Sequence, residues 1–146
     1  MSSNKVFVNV NNAGKREEYR EWLKKIETEG VDPFSLEYME SHNKNPILKK
    51  YTHWFVTQSL TPYPGSIHHF VVISSTYVEF FEELPPEAAT ELQLLIKEIN
   101  EEYGIKGGGY WMRYGETELT GATVMRLHAH IIAADPEGPG VRIPLK

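Results

Sequence analysis

The stretch RLHAHII, residues 126–132, decides how this sequence is read. In an extended strand, side chains alternate between two faces. Met125, Leu127, Ala129 and Ile131 then share one face, and Arg126, His128 and His130 share the other. The first face is apolar and small enough to pack on a helix. The second carries three basic side chains, each roughly 7 Å from the next, twice the strand rise. Groups so placed repel one another unless an anion sits among them, so this face asks for a phosphate or a carboxylate.

The loop before the strand adds to that demand. Gly121 lets the backbone approach a ligand closely. Thr123 offers a hydroxyl, and the N–H groups of the turn can cradle oxyanions. His68 and His69 fall on a neighbouring expected strand, where one of them would back the site.

Outward from this point the chain alternates helices and strands. Tyr19, Trp22, Leu23 and Ile26 recur at spacings of three and four and predict a helix over 15–29, stopped at Gly30. Asp32-Pro33 reads as the start of a short second helix to about residue 40. SHNKNP is a polar loop. YTHWFVTQ (51–58) and IHHFVVIS (67–74) read as strands joined by LTPYPGS into an antiparallel hairpin. Pro85-Pro86 opens a long helix to Tyr103, with Ala88, Leu92, Leu95, Ile96 and Ile99 as its apolar stripe. YWMRY (110–114) is a third strand, GETELTGA (115–122) a loop, and TVMRLHAHIIA (123–133) the fourth strand. The order of elements gives an α+β fold, a mostly antiparallel sheet packed with helices.

Composition bounds the function. The 146 residues suit one compact domain, with 40% hydrophobic and 24% charged residues. A net charge of −5 makes a poor general binder of nucleic-acid backbone, though a local cluster of positive groups can still hold a small anion. There is no cysteine, which excludes disulfides, zinc-thiolate sites and a cysteine nucleophile. The opening residues lack the apolar core of a secretion signal, and no apolar run reaches membrane-spanning length. The expected location is the cytoplasm, away from membranes.

RYGETELTGATVMRLHAHII (113–132) resembles the C-terminal motif of histidine-triad (HIT) proteins, three histidines alternating with hydrophobic residues after a glycine-containing loop with a Ser or Thr. TPYPGSIHHFVVIS (61–74) resembles that family's upstream segment, a Pro-Tyr turn leading to a histidine, matched best by His69. The resemblance covers residues 45–134, giving a HIT-like nucleotide-binding domain over 45–146 preceded by an N-terminal helical segment, 1–44. Three positions depart from the pattern. Arg126 stands for the first triad histidine, Ser74 and Tyr77 for a proline and histidine after the upstream strand, and Ser59 or Gln58 for an Asn or Asp that contacts the ribose.

The resemblance implies an enzyme, commonly a homodimer, that breaks a bond at the α-phosphate of a nucleoside phosphoramidate or dinucleoside polyphosphate, by hydrolysis or nucleotidyl transfer. His128 would be the nucleophile, with its second ring nitrogen oriented by a backbone carbonyl. His130 would donate a hydrogen bond to a phosphate or leaving-group oxygen, and Thr123 and the Gly121 loop would hold the phosphate. Arg126 cannot give up a proton at neutral pH. It would clamp phosphate and favour leaving groups that depart without acid help. No cofactor is required, although a divalent cation can accompany a polyphosphate substrate.

Two other readings compete. One is a nucleotide sensor or scaffold that binds without turnover. The other is a metal site built on His-X-His and a third histidine, which the long central helix fits poorly if the comparison is a cupin. His42 and His53 read as ordinary surface or packed histidines. Arg113 is either a phosphate contact or a surface residue. Trp54, Trp111 and Tyr110 read as core, and Phe55 and Ile47 as candidates for a nucleobase pocket. GGG at 107–109 lacks the following Lys-Ser/Thr of a phosphate loop.

Overall fold

Among the described residues, five antiparallel strands form one sheet in the order β1-β2-β3-β5-β4. These are β1 (Ile47–Lys50), β2 (Trp54–Gln58), β3 (Ser66–Ser74), β4 (Gly109–Arg113) and β5 (His128–Ala134). The strand bearing both histidines is thus internal, flanked by β3 and β4. The computed structural model describes residues 5–42 and 46–146.

The two sheet faces differ as the period-two pattern requires. Trp54, Val56, Phe70, Val72, Ala129 and Ile131 pack on one side with Ala88, Leu95 and Ile99 of α3 (Pro86–Tyr103). Pro86 starts α3 where a backbone N–H is not needed, and Gly104 ends it in the left-handed region at φ 65°. Trp54 Nε1 donates to Ala88 O at 2.8 Å, so the largest core side chain leaves no orphaned donor.

The other face is covered by the N-terminal segment, comprising α1 (Glu17–Glu29) and α2 (Leu36–His42). Met39 of α2 packs on Phe55, Val71 and Ile73, while Leu23 and Ile26 of α1 cluster with Val8, Ala13 and Val124. The expected division at 44/45 lies outside the described residues.

Several expectations shift. The second helix begins at Leu36, not at Asp32-Pro33, because Ser35 supplies its cap: Tyr38 N–H donates to Ser35 Oγ at 3.2 Å. β1 was not foreseen in the sequence; its two lysines break the apolar pattern. The loop 115–122 contains a helical turn, α4 (Thr117–Thr120). Phe55, a candidate pocket wall, is core at 1% exposure, whereas Tyr110, expected in the core, is 67% exposed.

The final strand also starts later than the pattern predicts. Residues 123–127 pair with other segments instead of extending β5. Val8 bridges Val124, Asn9 N–H donates to Thr123 O, and Met125 N–H donates to Phe7 O. Leu127 N–H donates to Val78 O. Arg126 therefore lies outside the strand whose face it was expected to share.

Candidate functional site

His128 and His130 do share a face of β5. Their rings are 5.2 Å apart between centroids and nearly perpendicular. Register brings β4 alongside: Trp111 pairs with His130 and Arg113 with His128, so these four side chains alternate onto the same surface. From β3, His69 completes the group.

Hydrogen bonding fixes the tautomer of each ring. His128 Nδ1 lies 2.8 Å from Arg126 O. A carbonyl only accepts, so Nδ1 carries the proton and Nε2 keeps its lone pair. Tyr63 N–H donates to His69 Nδ1 at 3.1 Å, which puts the neutral His69 proton on Nε2. That nitrogen is 2.8 Å from His130 Nδ1, so the His130 proton sits on Nε2. The two rings of β5 thus offer opposite functions, a lone pair at 128 and an N–H donor at 130.

All three rings are neutral at pH 7. Burial lowers the His128 pKa to about 4, more than the Arg126 carbonyl raises it, with Arg113 and His69 adding to the fall. Burial also lowers His69 to about 4. His130 is driven lower still, by burial first and then by its neighbours His128, His69 and Arg113.

This neutrality has a stability consequence. The unfolded chain takes up a proton on histidine near pH 6.5, the folded His128 only near 4, so folding is favoured above 6.5 and loses that advantage as pH falls. For His128 alone the loss by pH 4 is about 3 kcal/mol. Urea unfolding at pH 7 and pH 4.5 should show it, and His128→Gln should flatten the slope between the two.

Among the described residues, three buried side-chain nitrogens have no hydrogen-bond partner: His130 Nε2, Trp111 Nε1 and Arg113 Nε. Each is a donor, and an unpaired buried donor costs about 1–3 kcal/mol. Trp111 lies 6.1 Å from the His130 ring between centroids, and the Arg113 guanidinium carbon is 5.1 Å from the Trp111 ring. Burial lowers the Arg113 pKa, but a guanidinium starting above about 12 remains charged. Three orphaned donors gathered on one surface, one of them on a cation, suit an anion with several acceptor oxygens.

Arg126 does not belong to that cradle. Its Nη1 pairs with Asp32 Oδ2 at 2.9 Å, its Nε donates to Ser74 O at 2.9 Å and its Nη2 to Ser75 O at 2.7 Å. Both partners of the ion pair are buried, at 7% and 8% side-chain exposure. The phosphate clamp expected of Arg126 is thus corrected: its guanidinium turns inward, and the cation facing the histidines is Arg113.

The remaining candidates are placed as follows. Thr123 Oγ1 is 2.7 Å from Tyr19 OH, which ties the loop to α1. Gly121 caps α4 at φ 80°, and a Cβ there would meet the Lys146 backbone at 2.8 Å, so glycine is required. Gln58 and Ser59 line a cavity of about 740 Å³, together with Tyr19, Trp22, Phe34 and Tyr38. Phe34 also meets His128 edge-on, 4.9 Å between centroids, so cavity and histidines adjoin. His68 packs against Phe70 and Tyr103, away from the site. Among the described residues, no group of three or more His, Cys, Asp or Glu is arranged to hold a metal. No helix among them is long and apolar enough to cross a membrane.

The sequence reading missed Trp111, Tyr63, Phe34 and Asp32. Trp111 was legible in principle: in YWMRY it alternates with Arg113, the pattern used for 126–130. Asp32 gave no signal beyond that of a helix cap.

No protein-family model and no curated protein matches the chain. Solved structures do. A HIT-like protein is 25% identical, with 62% of this chain and 87% of that one covered and a TM-score of 0.53. A histidine triad protein from Clostridium difficile is 17% identical, covering 73% and 92%, at 0.55. A histidine triad nucleotide-binding protein from Candida albicans is 13% identical, covering 74% and 80%, at 0.57. The α+β architecture described above, an antiparallel sheet packed with helices, is the histidine-triad fold.

Proposed function

We propose that this protein is a nucleotide hydrolase or nucleotidyl transferase that works at an α-phosphate through a nucleotidyl-histidine intermediate. The observation that carries the reading is the opposed tautomers of β5. His128 presents a lone pair on Nε2 beside the His130 Nε2–H, which is buried and has no partner among the described residues. A nucleophile with a donor next to it is the minimum for displacement at phosphorus.

In this scheme His128 Nε2 attacks phosphorus, and the P–O or P–N bond to the leaving group breaks, its electron pair departing with that group. His128 Nδ1–H shares the resulting positive charge with Arg126 O. His130, Trp111 and Arg113 donate to phosphate oxygens as negative charge shifts among them. Water or another acceptor then attacks phosphorus and loses its proton to solvent, while the P–N bond breaks and its electron pair returns to His128 Nε2. The adjoining cavity, lined by aromatic rings and by Gln58 and Ser59, has room for a nucleoside.

With all three imidazoles neutral and Arg113 holding its proton, the site suits leaving groups that depart as anions. Nucleoside polyphosphates fit this better than amines, so dinucleoside polyphosphates are placed ahead of phosphoramidates. Adenosine and guanosine versions of both classes, assayed with wild type, test the reading. Turnover with a nucleotide adduct on His128 supports it. Reversible binding with no adduct assigns the protein instead as a nucleotide sensor.

Arg113 is the cation of this scheme. Replacing it with methionine should weaken nucleoside monophosphate binding roughly 10- to 100-fold, the worth of one charged hydrogen bond. Isothermal titration calorimetry measures this, and an unchanged Kd would remove Arg113 from the phosphate site.

A further inference from the structure

Asp32 is a buried carboxylate on the N-terminal segment, and its two oxygens are both engaged. Oδ2 takes Arg126 Nη1 at 2.9 Å, and Oδ1 accepts the Phe34 N–H at 3.0 Å. Both of these partners touch His128. Arg126 O accepts the His128 Nδ1–H, and the Phe34 ring stands edge-on to the imidazole at an interplanar angle of 88°.

We propose that Asp32 is a positioning residue for the nucleophile, fixing from one carboxylate both the carbonyl that sets the His128 tautomer and the aromatic wall that sets its ring orientation. The inference rests on the reading of His128 as the nucleophile. Asp32 never reaches the reacting atoms. It acts through the Arg126 segment, which is held at three points of the guanidinium, by Asp32, Ser74 O and Ser75 O. Removing the Asp32 charge releases one of the three and leaves the carbonyl free to move. A carbonyl out of line no longer selects the Nδ1–H form, and the share of molecules with a lone pair on Nε2 falls. A wrong tautomer disables an otherwise intact imidazole catalyst.

The test is nitrogen NMR of histidine-labelled protein, run alongside steady-state kinetics. Wild type should show His128 protonated on Nδ1. Asp32→Asn keeps the shape and the capping oxygen but not the charge. It should show mixed His128 tautomers and a kcat lower by about 10- to 100-fold, the usual cost of losing a partner that orients an imidazole. KM should stay within about threefold, because the amide oxygen still accepts the Phe34 N–H and the phosphate donors are unchanged. Asp32→Glu should recover part of kcat and of the Nδ1–H form.

A folded Asp32→Asn protein with the wild-type tautomer and kcat overturns the proposal, as does a wild-type His128 protonated on Nε2. If Asp32→Asn does not fold, the pair Asp32→Leu with Arg126→Met replaces the ion pair by apolar packing. An unchanged tautomer there overturns the proposal, and a mixed one supports it. The tautomer is read without substrate. A protein inert to every nucleotide but with an Asp32-dependent His128 tautomer would sink the enzymatic reading and leave the positioning role in place.

Discussion

Replacing His128 with alanine should abolish the covalent adduct and lower kcat by at least about 10³-fold on any substrate the wild type turns over. The size of the effect follows from the division of labour in the site. Removing a nucleophile removes the path itself, and what remains is positioning and charge stabilisation of direct attack by water. His130, Trp111 and Arg113 would still hold the phosphate, so binding should survive. The same variant should thus keep a Kd for nucleoside monophosphate within a few-fold of wild type. Mass spectrometry of substrate-mixed protein reads the adduct, and rapid-quench kinetics reads its formation. If the variant retains a tenth or more of the activity, His128 is not the nucleophile. A general base toward water would leave no adduct in wild type either, but its removal would still cost about 10²- to 10⁴-fold.

The alternation in RLHAHII was enough to place His128 and His130 on one face and Ala129 and Ile131 on the other, because burial on both sides of an internal strand leaves little choice of register. The helix over 86–103 was equally plain, since its stripe, its opening proline and its closing glycine agree. The same alternation failed at Arg126. A period-two pattern says which way a side chain points only while the chain stays in a strand. Here the backbone leaves the strand at residue 127 to pair with Val8, Phe7 and Val78. What turns the arginine inward is a carboxylate 94 residues away in sequence, and no local pattern announces it. The orphaned donors were hidden for a related reason. Whether Trp111 is core or cradle depends on which strand lies beside it, and that is set by the sheet order.

Replacing Arg126 with alanine should cost roughly 3–5 kcal/mol of folding free energy, the usual loss when one partner of a buried ion pair is removed. The Asp32 carboxylate would be left buried without its cation, and the Ser74 and Ser75 carbonyls would each lose a donor. For a chain of 146 residues this corresponds to a fall in Tm of about 10–15 °C. Urea unfolding at pH 7 measures it. The paired change Arg126→Met with Asp32→Leu should recover most of the loss, since the charges are costly to bury and apolar packing of similar volume substitutes for them. The contrast between the single and double variants separates an internal tie from a clamp on phosphate. An exposed guanidinium waiting for an anion would cost less than about 1 kcal/mol on removal, and that loss would grow when nucleotide is present. A small, nucleotide-dependent loss would therefore return Arg126 to the phosphate and leave Asp32 without a role in the site.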